Sequence, residues 1–257
     1  MTHSTFRDGL LRGKTAFVTG GSSGINLGIA TALVKAGARV AINGRNEEKL
    51  AAAVAGLRAH GEAIGFAADV REYDAIDRAV RDAVAALGPI DVLVCGAAGN
   101  FPAPAVGMSS RGFRAVVDID LVGSFNAARA AFDHLRKPGA AVVAVSAPQA
   151  TQPMPMQSHV CAAKAGVEML VRCLALEWGG AGVRVNAISP GPIAGTEGME
   201  RLAPGEDARE RIAGAMPLQR LGSVDDVADA ALFLCSDAAR FVTGAVLPCD
   251  GGQSLLG

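Results

Sequence analysis

Thr19-Gly20-Gly21-Ser22-Ser23-Gly24-Ile25-Asn26 closes a short apolar run, Thr15 to Thr19, and leads into a helical pattern over Gly24 to Ala36. Glycines at such a junction let the backbone turn sharply and approach a ligand closely. The free N–H groups of the helix that follows favour an anion such as a pyrophosphate. Strand, glycine turn and helix in that order read as the opening of a βαβ unit, and the rest of the chain repeats the alternation. Arg39 to Asn43, Ala63 to Ala67, Ile90 to Cys95, Ala140 to Ser146, Val183 to Ile188 and Ala245 to Pro248 read as further strands. Glu47 to His60, Tyr73 to Leu87, Arg111 to Leu135, Cys161 to Trp178 and Val224 to Cys235 read as helices. The strand runs are apolar nearly end to end, which predicts burial on both faces. The expected class is therefore α/β: a doubly wound parallel sheet of about seven strands with helices on both faces. Ligands of such sheets sit beyond the carboxyl ends of the strands, so chemistry is sought in the residues just after each one.

Residues 1–257 read as a single domain, because one α/β core can organise that length and no repeat, low-complexity tract or linker divides it. Hydrophobic residues make up 50% and charged residues 19%, which predicts a packed core and excludes disorder. The net charge is −1 with basic residues scattered, so nucleic acid and anionic membranes are not expected partners and small molecules are. Cys95, Cys161, Cys173, Cys235 and Cys249 form no CxxC pair and no metal-ligand spacing. No metal is expected, and a reducing compartment is. Met1 to Lys14 is too polar for a signal peptide, no apolar run approaches the roughly 18 residues of a membrane span, and Ser254 to Gly257 is not a peroxisomal address. The expected location is cytoplasmic.

The glycine spacing is not GxGxxG. It resembles the TGxxxGxG fingerprint of the short-chain dehydrogenase/reductase family, with Asn26 in place of the last glycine. Asparagine tolerates unusual backbone angles better than most residues. The resemblance implies a Rossmann-type fold and a nicotinamide dinucleotide held by Gly20, Ser22, Ser23, Gly24 and Ile25. After the second strand, Asn43-Gly44-Arg45 offers no acid for a ribose 2'-hydroxyl. Arg45 instead carries a planar fork of donors suited to a 2'-phosphate, which favours NADP(H) over the plainer reading of an arginine in an exposed turn. Asp69-Val70 resembles the family's adenine-contacting pair. Gly96-Ala97-Ala98-Gly99 resembles its NNAG segment with both asparagines missing, and Ala97 is placed against the cofactor. Pro190, Gly191, Ile193 and Thr196 match the segment that braces the nicotinamide carboxamide.

Most members carry a YxxxK motif after the fifth strand and a serine before it. This chain keeps only the lysine. Ser158-His159-Val160-Cys161-Ala162-Ala163-Lys164 puts Val160 at the tyrosine position and Ala147 at the serine position, while Tyr73, the only tyrosine, lies in another segment. Neither Val160 nor Ala147 gives a proton or a hydrogen bond, so reduction of an ordinary ketone, whose alkoxide needs an acid, is disfavoured. Hydride addition to a carbon conjugated with a thioester is different: charge spreads into an enolate, which needs a donor on its oxygen and a proton source for carbon. Cys95 to Phe101, Asp118 to Leu121, His159 with Lys164 and the run Pro190 to Gly198 together resemble the peroxisomal type of 2,4-dienoyl-CoA reductase, over nearly the whole chain.

That resemblance implies an NADPH-dependent reductase of an unsaturated acyl thioester, a 2,4-dienoyl-CoA, in a homotetramer. Asp120 and Lys164 become the acid and water-holding pair, with Lys164 also meeting the nicotinamide ribose. A carboxylate among apolar neighbours is costly to bury unpaired, which makes a lysine partner physically sensible; a structural ion pair is the alternative. Asn100 is expected to donate its amide to the thioester oxygen, or else to shape a turn. Asp118, roughly 200° around a helix from Asp120, and His159, about 140° from Lys164, are set aside as the primary acid. Glu197 to Met216 mixes apolar residues, charges and Gly/Pro breaks and reads as a mobile substrate lid. Helices rich in small residues, Ala127 to Phe132 and Ala162 to Leu176, offer faces for subunit packing. Two other readings stay open: a reductase of another activated alkene or carbonyl, and a non-catalytic NADP(H)-binding sensor or scaffold.

Overall fold

A strand covered on both faces must bury both of its alternating side-chain sets, and the strands of this chain do so. Ala16, Val18, Val40, Ile42, Val92 and Val94 point into one core cluster, whereas Phe17, Ala41 and Leu93, interleaved between them, point into another. The computed structural model describes residues 6–256, so the readings that fall on residues 1–5 and on Gly257 lie outside the described residues. β1 (Thr15–Thr19), β2 (Arg39–Gly44), β3 (Ala63–Ala67), β4 (Val92–Cys95), β5 (Ala141–Val145), β6 (Arg184–Pro190) and β7 (Val246–Cys249) form one sheet in the order β3-β2-β1-β4-β5-β6-β7. Every neighbouring pair is parallel. β1 pairs with β2 on one side and β4 on the other, so the strand order reverses there, and a crevice opens at the carboxyl ends of those strands.

Helices cover both faces, as the buried strands require. α1 (Gly24–Lys35), α2 (Glu47–Arg58) and α9 (Val224–Cys235) supply Ile29, Leu33, Leu50, Leu57, Val227 and Leu234 to one core. α3 (Tyr73–Leu87), α5 (Gly123–Phe132) and α6 (Ser158–Trp178) supply Ile76, Val80, Ala127, Ala131, Val167 and Val171 to the other. Ala127, Ala128, Ala130 and Ala131 are thus spent inside the protomer, and the helix faces left outside carry Phe125, Met169 and Leu176 instead. Burial pushes the Cys95 and Cys235 thiols up to about 12, as befits cysteines serving as small apolar side chains.

Three departures from the sequence reading bear on function. The single helix expected over Arg111 to Leu135 is divided into α4 (Ser110–Val117), a π-helical stretch Asp118–Val122, and α5. α6 starts at Ser158, three residues before the expected Cys161, which brings His159 and Val160 onto the helix. Glu197 to Met216, read as a lid with no elements assigned to it, contains α7 (Glu197–Leu202) and α8 (Glu206–Ala215). Thr196 caps α7 by accepting from Met199 N at 3.2 Å, and acidic residues fill the first turn of both helices, so the local signals were present in the sequence.

Candidate active site

A cleft of about 1510 Å³ opens at the carboxyl ends of the strands. At its floor, β1 hands over to α1 through the glycine turn. Gly20 adopts φ +66°, and a Cβ there would stand 2.8 Å from Ala97 Cα, so the backbones of the β1 and β4 exits approach closely only because Gly20 has no side chain. Ser22, Gly24 and Ile25 line the same floor. Ser23 is the N-cap of α1, yet its side chain makes no capping bond, and the first turn carries no acid. A helix start with an uncommitted hydroxyl, free N–H groups and no competing carboxylate is suited to an anion.

On the β2–β3 side, Arg45, Asp69, Val70 and Arg71 line the wall. Asp69 accepts from Arg71 Nε at 3.0 Å and Nη2 at 2.6 Å, and Arg45 Nη1 lies 3.9 Å away. The hydrogen-bonded Arg71 guanidinium holds the Asp69 carboxyl below the usual carboxylate range. The Arg45 side chain remains 60% exposed, which leaves its fork open to the cleft. Lys49, in the first turns of α2, lines this wall too and reaches across to Glu197 Oε1 on α7 at 2.8 Å. Lys49 and Arg71 were missed in the sequence. A cation four residues beyond Arg45, at the start of the helix that follows it, was the available signal for Lys49.

On the β4–β5 side the setting is drier. Asp120 lies in the π-helical stretch and is 1% exposed. A π-helical turn shifts the register of the side chains around it and is frequent at functional sites. Asp120 Oδ1 accepts from Gly99 N at 2.8 Å, and Oδ2 lies 3.1 Å from Lys164 Nζ. Lys164 stands on α6 and also donates to Val145 O, the last residue of β5, at 2.9 Å. Asp118, two residues before Asp120, stands within electrostatic reach of Arg71 instead. Lys164, Asp120 and Asn100 all line the cleft.

Asn100 uses one amide hydrogen on Gln157 Oε1 at 3.3 Å, which also accepts from Gln149 Nε2 at 3.1 Å. The second amide hydrogen of Asn100 is left for another acceptor. Gln149 and Gln157 line the cleft and were not foreseen; they sit in a segment whose Pro and Met residues gave no periodic signal. Val160 and Ala147 line the cleft next to them. Ser146, beside Ala147, donates to the buried Glu168 Oε1 at 2.9 Å, so its hydroxyl hydrogen is turned inward. His159 is fully buried against Phe101, with ring centroids 4.5 Å apart, and does not line the cleft. Pro190, Gly191, Ile193 and Thr196 form the remaining wall below α7 and α8. The Thr196 hydroxyl is spent locally, donating to Ile193 O at 2.9 Å, which leaves its backbone for any ligand. Among the described residues no group of three or more His, Cys, Asp or Glu is placed to hold a metal ion.

A family model described as enoyl-(acyl carrier protein) reductase matches residues 20–254. The chain belongs to the short-chain dehydrogenase/reductase family. It is 42% identical to a peroxisomal 2,4-dienoyl-CoA reductase, (3E)-enoyl-CoA-producing, of Saccharomyces cerevisiae, over 100% of this chain and 89% of the relative. A peroxisomal 2,4-dienoyl-CoA reductase of Arabidopsis thaliana, also (3E)-enoyl-CoA-producing, is 42% identical over 97% of this chain and 87% of its own length. Among solved structures, a putative short-chain alcohol dehydrogenase from Sinorhizobium meliloti superposes with a TM-score of 0.89 at 35% identity, covering 94% of this chain and 96% of the other. The family is one of oxidoreductases that bind a nicotinamide cofactor. The cleft fits that group: a glycine cradle a Cβ would fill, a helix N-terminus without acid, and cations on the β2–β3 side. Among the described residues no helix is long and apolar enough to cross a membrane.

Proposed function

We propose that the protein reduces a 2,4-dienoyl-CoA to a 3-enoyl-CoA with NADPH. The observation that carries this reading is the buried Asp120–Lys164 pair, 3.1 Å apart, in a cleft that Val160 and Ala147 also line; on the sequence resemblance these two stand at the family's tyrosine and serine positions. The full-length likeness to dienoyl-CoA reductases supports it. Gly20, Ser22, Ser23, Gly24 and Ile25 hold the pyrophosphate, Arg45 the 2'-phosphate, and Asp69 with Val70 the adenine; Ala97, Pro190, Gly191, Ile193 and Thr196 enclose the nicotinamide end. When bound, NADPH supplies a hydride to the distal carbon of the diene.

The chain's own residues handle the charge and the proton that result. The negative charge created on the substrate spreads toward the thioester oxygen, where the second amide hydrogen of Asn100 and the ammonium of Lys164 stabilise it. Asp120, with a water that it and Lys164 hold beside their contact, delivers a proton to the carbon next to the thioester. One carbon–hydrogen bond forms at each end of the former diene, and the remaining double bond moves between them. Lys164 also orients the nicotinamide ribose. An ordinary ketone finds no acid at Val160 or Ala147, and the Ser146 hydroxyl hydrogen is turned to Glu168, so the diene is the better match. α7 and α8 act as the lid; no residue of α8 is buried, which suits a segment that moves at small cost.

The CoA ester, the cytoplasmic setting and a homotetramer belong to the same reading. Five free cysteines fit a reducing compartment, and the apolar Phe125, Met169 and Leu176 on the outer faces of α5 and α6 fit a subunit contact. The test is loss of NADPH absorbance with 2,4-hexadienoyl-CoA, with the product double bond located by mass spectrometry. Turnover to the 3-enoyl product is expected. Turnover only of other activated alkenes or of carbonyls assigns a different substrate, and NADPH binding without turnover of any of them assigns a non-catalytic role.

A further inference from the structure

Two departures of this chain from the family's sequence pattern touch each other in space. Asn26 stands where the fingerprint has its last glycine, and Gly96 stands where the NNAG segment has its first asparagine. These positions are far apart in the chain, on α1 and at the exit of β4. Asn26 Nδ2 donates to Gly96 O at 2.6 Å, and a Cβ placed on Gly96 would overlap the Asn26 amide group itself. The amide fits only because residue 96 has no side chain. Thr19, at the end of β1, secures the same backbone from the other side, its hydroxyl accepting from Gly96 N at 3.0 Å and Ala97 N at 3.3 Å.

We propose that Asn26 and Gly96 form one reciprocal exchange and that Asn26 is a positioning residue: it fixes the β4 exit from the dinucleotide side of the cleft. The inference rests on the cofactor-binding reading of this cleft. What hangs on that exit is the reaction side. Ala97 approaches Gly20, Gly99 N–H meets the Asp120 carboxylate at 2.8 Å, and Asn100 follows. A hydrogen bond from α1 to Gly96 O therefore ties the helix that starts at the glycine turn to the backbone that orients Asp120. Asn26 Oδ1 is buried against Gly96 and accepts no hydrogen bond from the protein, so the donor half of this amide alone makes the tie.

The experiment is a double-mutant cycle on the full chain: Asn26→Gly, Gly96→Ala and the pair together, with Asn26→Asp as an isosteric variant lacking the donor. The readouts are the melting temperature without ligands, the NADPH Kd by fluorescence titration, and kcat and KM on dienoyl-CoA. Asn26→Gly is expected to raise the NADPH Kd on the order of fivefold, the worth of one hydrogen bond, and to lower kcat with little change in KM. Asn26→Asp is expected to do at least as much. Gly96→Ala alone should lower the melting temperature and weaken NADPH further, and adding Asn26→Gly should reverse much of that loss. Gly96→Ala tolerated beside Asn26, or no rescue by Asn26→Gly, overturns the exchange. If Gly96→Ala does not fold, Asn26→Gly decides alone: unchanged Kd and kcat with a lowered melting temperature would leave a structural bond only and overturn the positioning role. The cycle in melting temperature and Kd needs no substrate, so it stands or falls separately from the substrate assignment.

Discussion

Each side of the cleft carries a carboxylate paired with at least one cation, built on opposite terms. On the β2–β3 side, Asp69 is 21% exposed, its nearest cation Arg71 is 39% exposed, and Arg45 stands at 3.9 Å with 60% exposure. On the β4–β5 side, Asp120 and Lys164 are 1% and 7% exposed. Removing two charges from water costs several kcal/mol per ion, and mutual attraction repays it only with good geometry and further hydrogen bonds. Asp120 has Gly99 N–H and Lys164 has Val145 O for that purpose. A wet cluster costs little and leaves a cationic face for phosphate to settle on, whereas a dry pair makes sense where a proton must move without competition from solvent. On the proposed function, one cleft separates binding by charge from chemistry by charge.

The largest effects should come from breaking the dry pair. Asp120→Asn still accepts from Gly99 N–H but neither carries the proton nor balances Lys164, so kcat should fall by roughly 10² to 10⁴. Leaving the ammonium buried and unpaired should also cost about 3–5 kcal/mol of stability by chemical denaturation. Lys164→Met should behave alike, and joining it to Asp120→Asn should restore stability but not turnover. If either single variant unfolds no more easily than the parent, the contrast between the two sides collapses.

Arg45→Ala should have the next largest effect. Loss of one charge-assisted contact to a phosphate should raise the NADPH Kd about tenfold and leave NADH binding unchanged. Because Arg45 is mostly exposed, the difference between the parent and the variant should shrink as salt rises. Equal weakening of both cofactors would show that Arg45 shapes the wall rather than reads the 2'-phosphate.

The two sides also differ in how far the sequence exposes them. The floor and the β2–β3 side are local: Gly20 to Ile25, Arg45 and Asp69 each follow closely on a strand, so strand periodicity alone leads to them, and six of the seven strands were placed to within a residue at their starts. The exception, β4, starts at Val92 because Ile90 bridges to Leu135 outside the named strands. The β4–β5 side is assembled from distant pieces. Asp120 was legible through family likeness and not through helical geometry, since an ideal helix over Arg111 to Leu135 has no π-helical turn to mark it. Gln149 and Gln157 join Asn100 only after the β5–α6 connection folds back over the cleft. Asn26 was visible as an oddity, but its meaning depends on Gly96, a contact that no pattern along the chain encodes.

The smallest effect should come from Asp69 and is read through pH. Its folded carboxyl titrates below the unfolded value of about 3.9 because Arg71 hydrogen-bonds the charged form. A depressed carboxyl contributes stability that is fully present above the unfolded value and is lost as pH falls through the folded one. The group is partly solvated, so screening holds the contribution below about 1 kcal/mol. Asp69→Asn should therefore be slightly less stable than the parent at neutral pH, and the two unfolding curves should converge as the solution is acidified below pH ~3.9. A gap that persists to the lowest accessible pH would mean that Asp69 acts through its shape and its bond to Arg71 N rather than through its charge. A neutral-pH gap as wide as that of Asp120→Asn would show that the wet cluster holds the fold as strongly as the dry pair does, and the division of labour between the two sides would fail there.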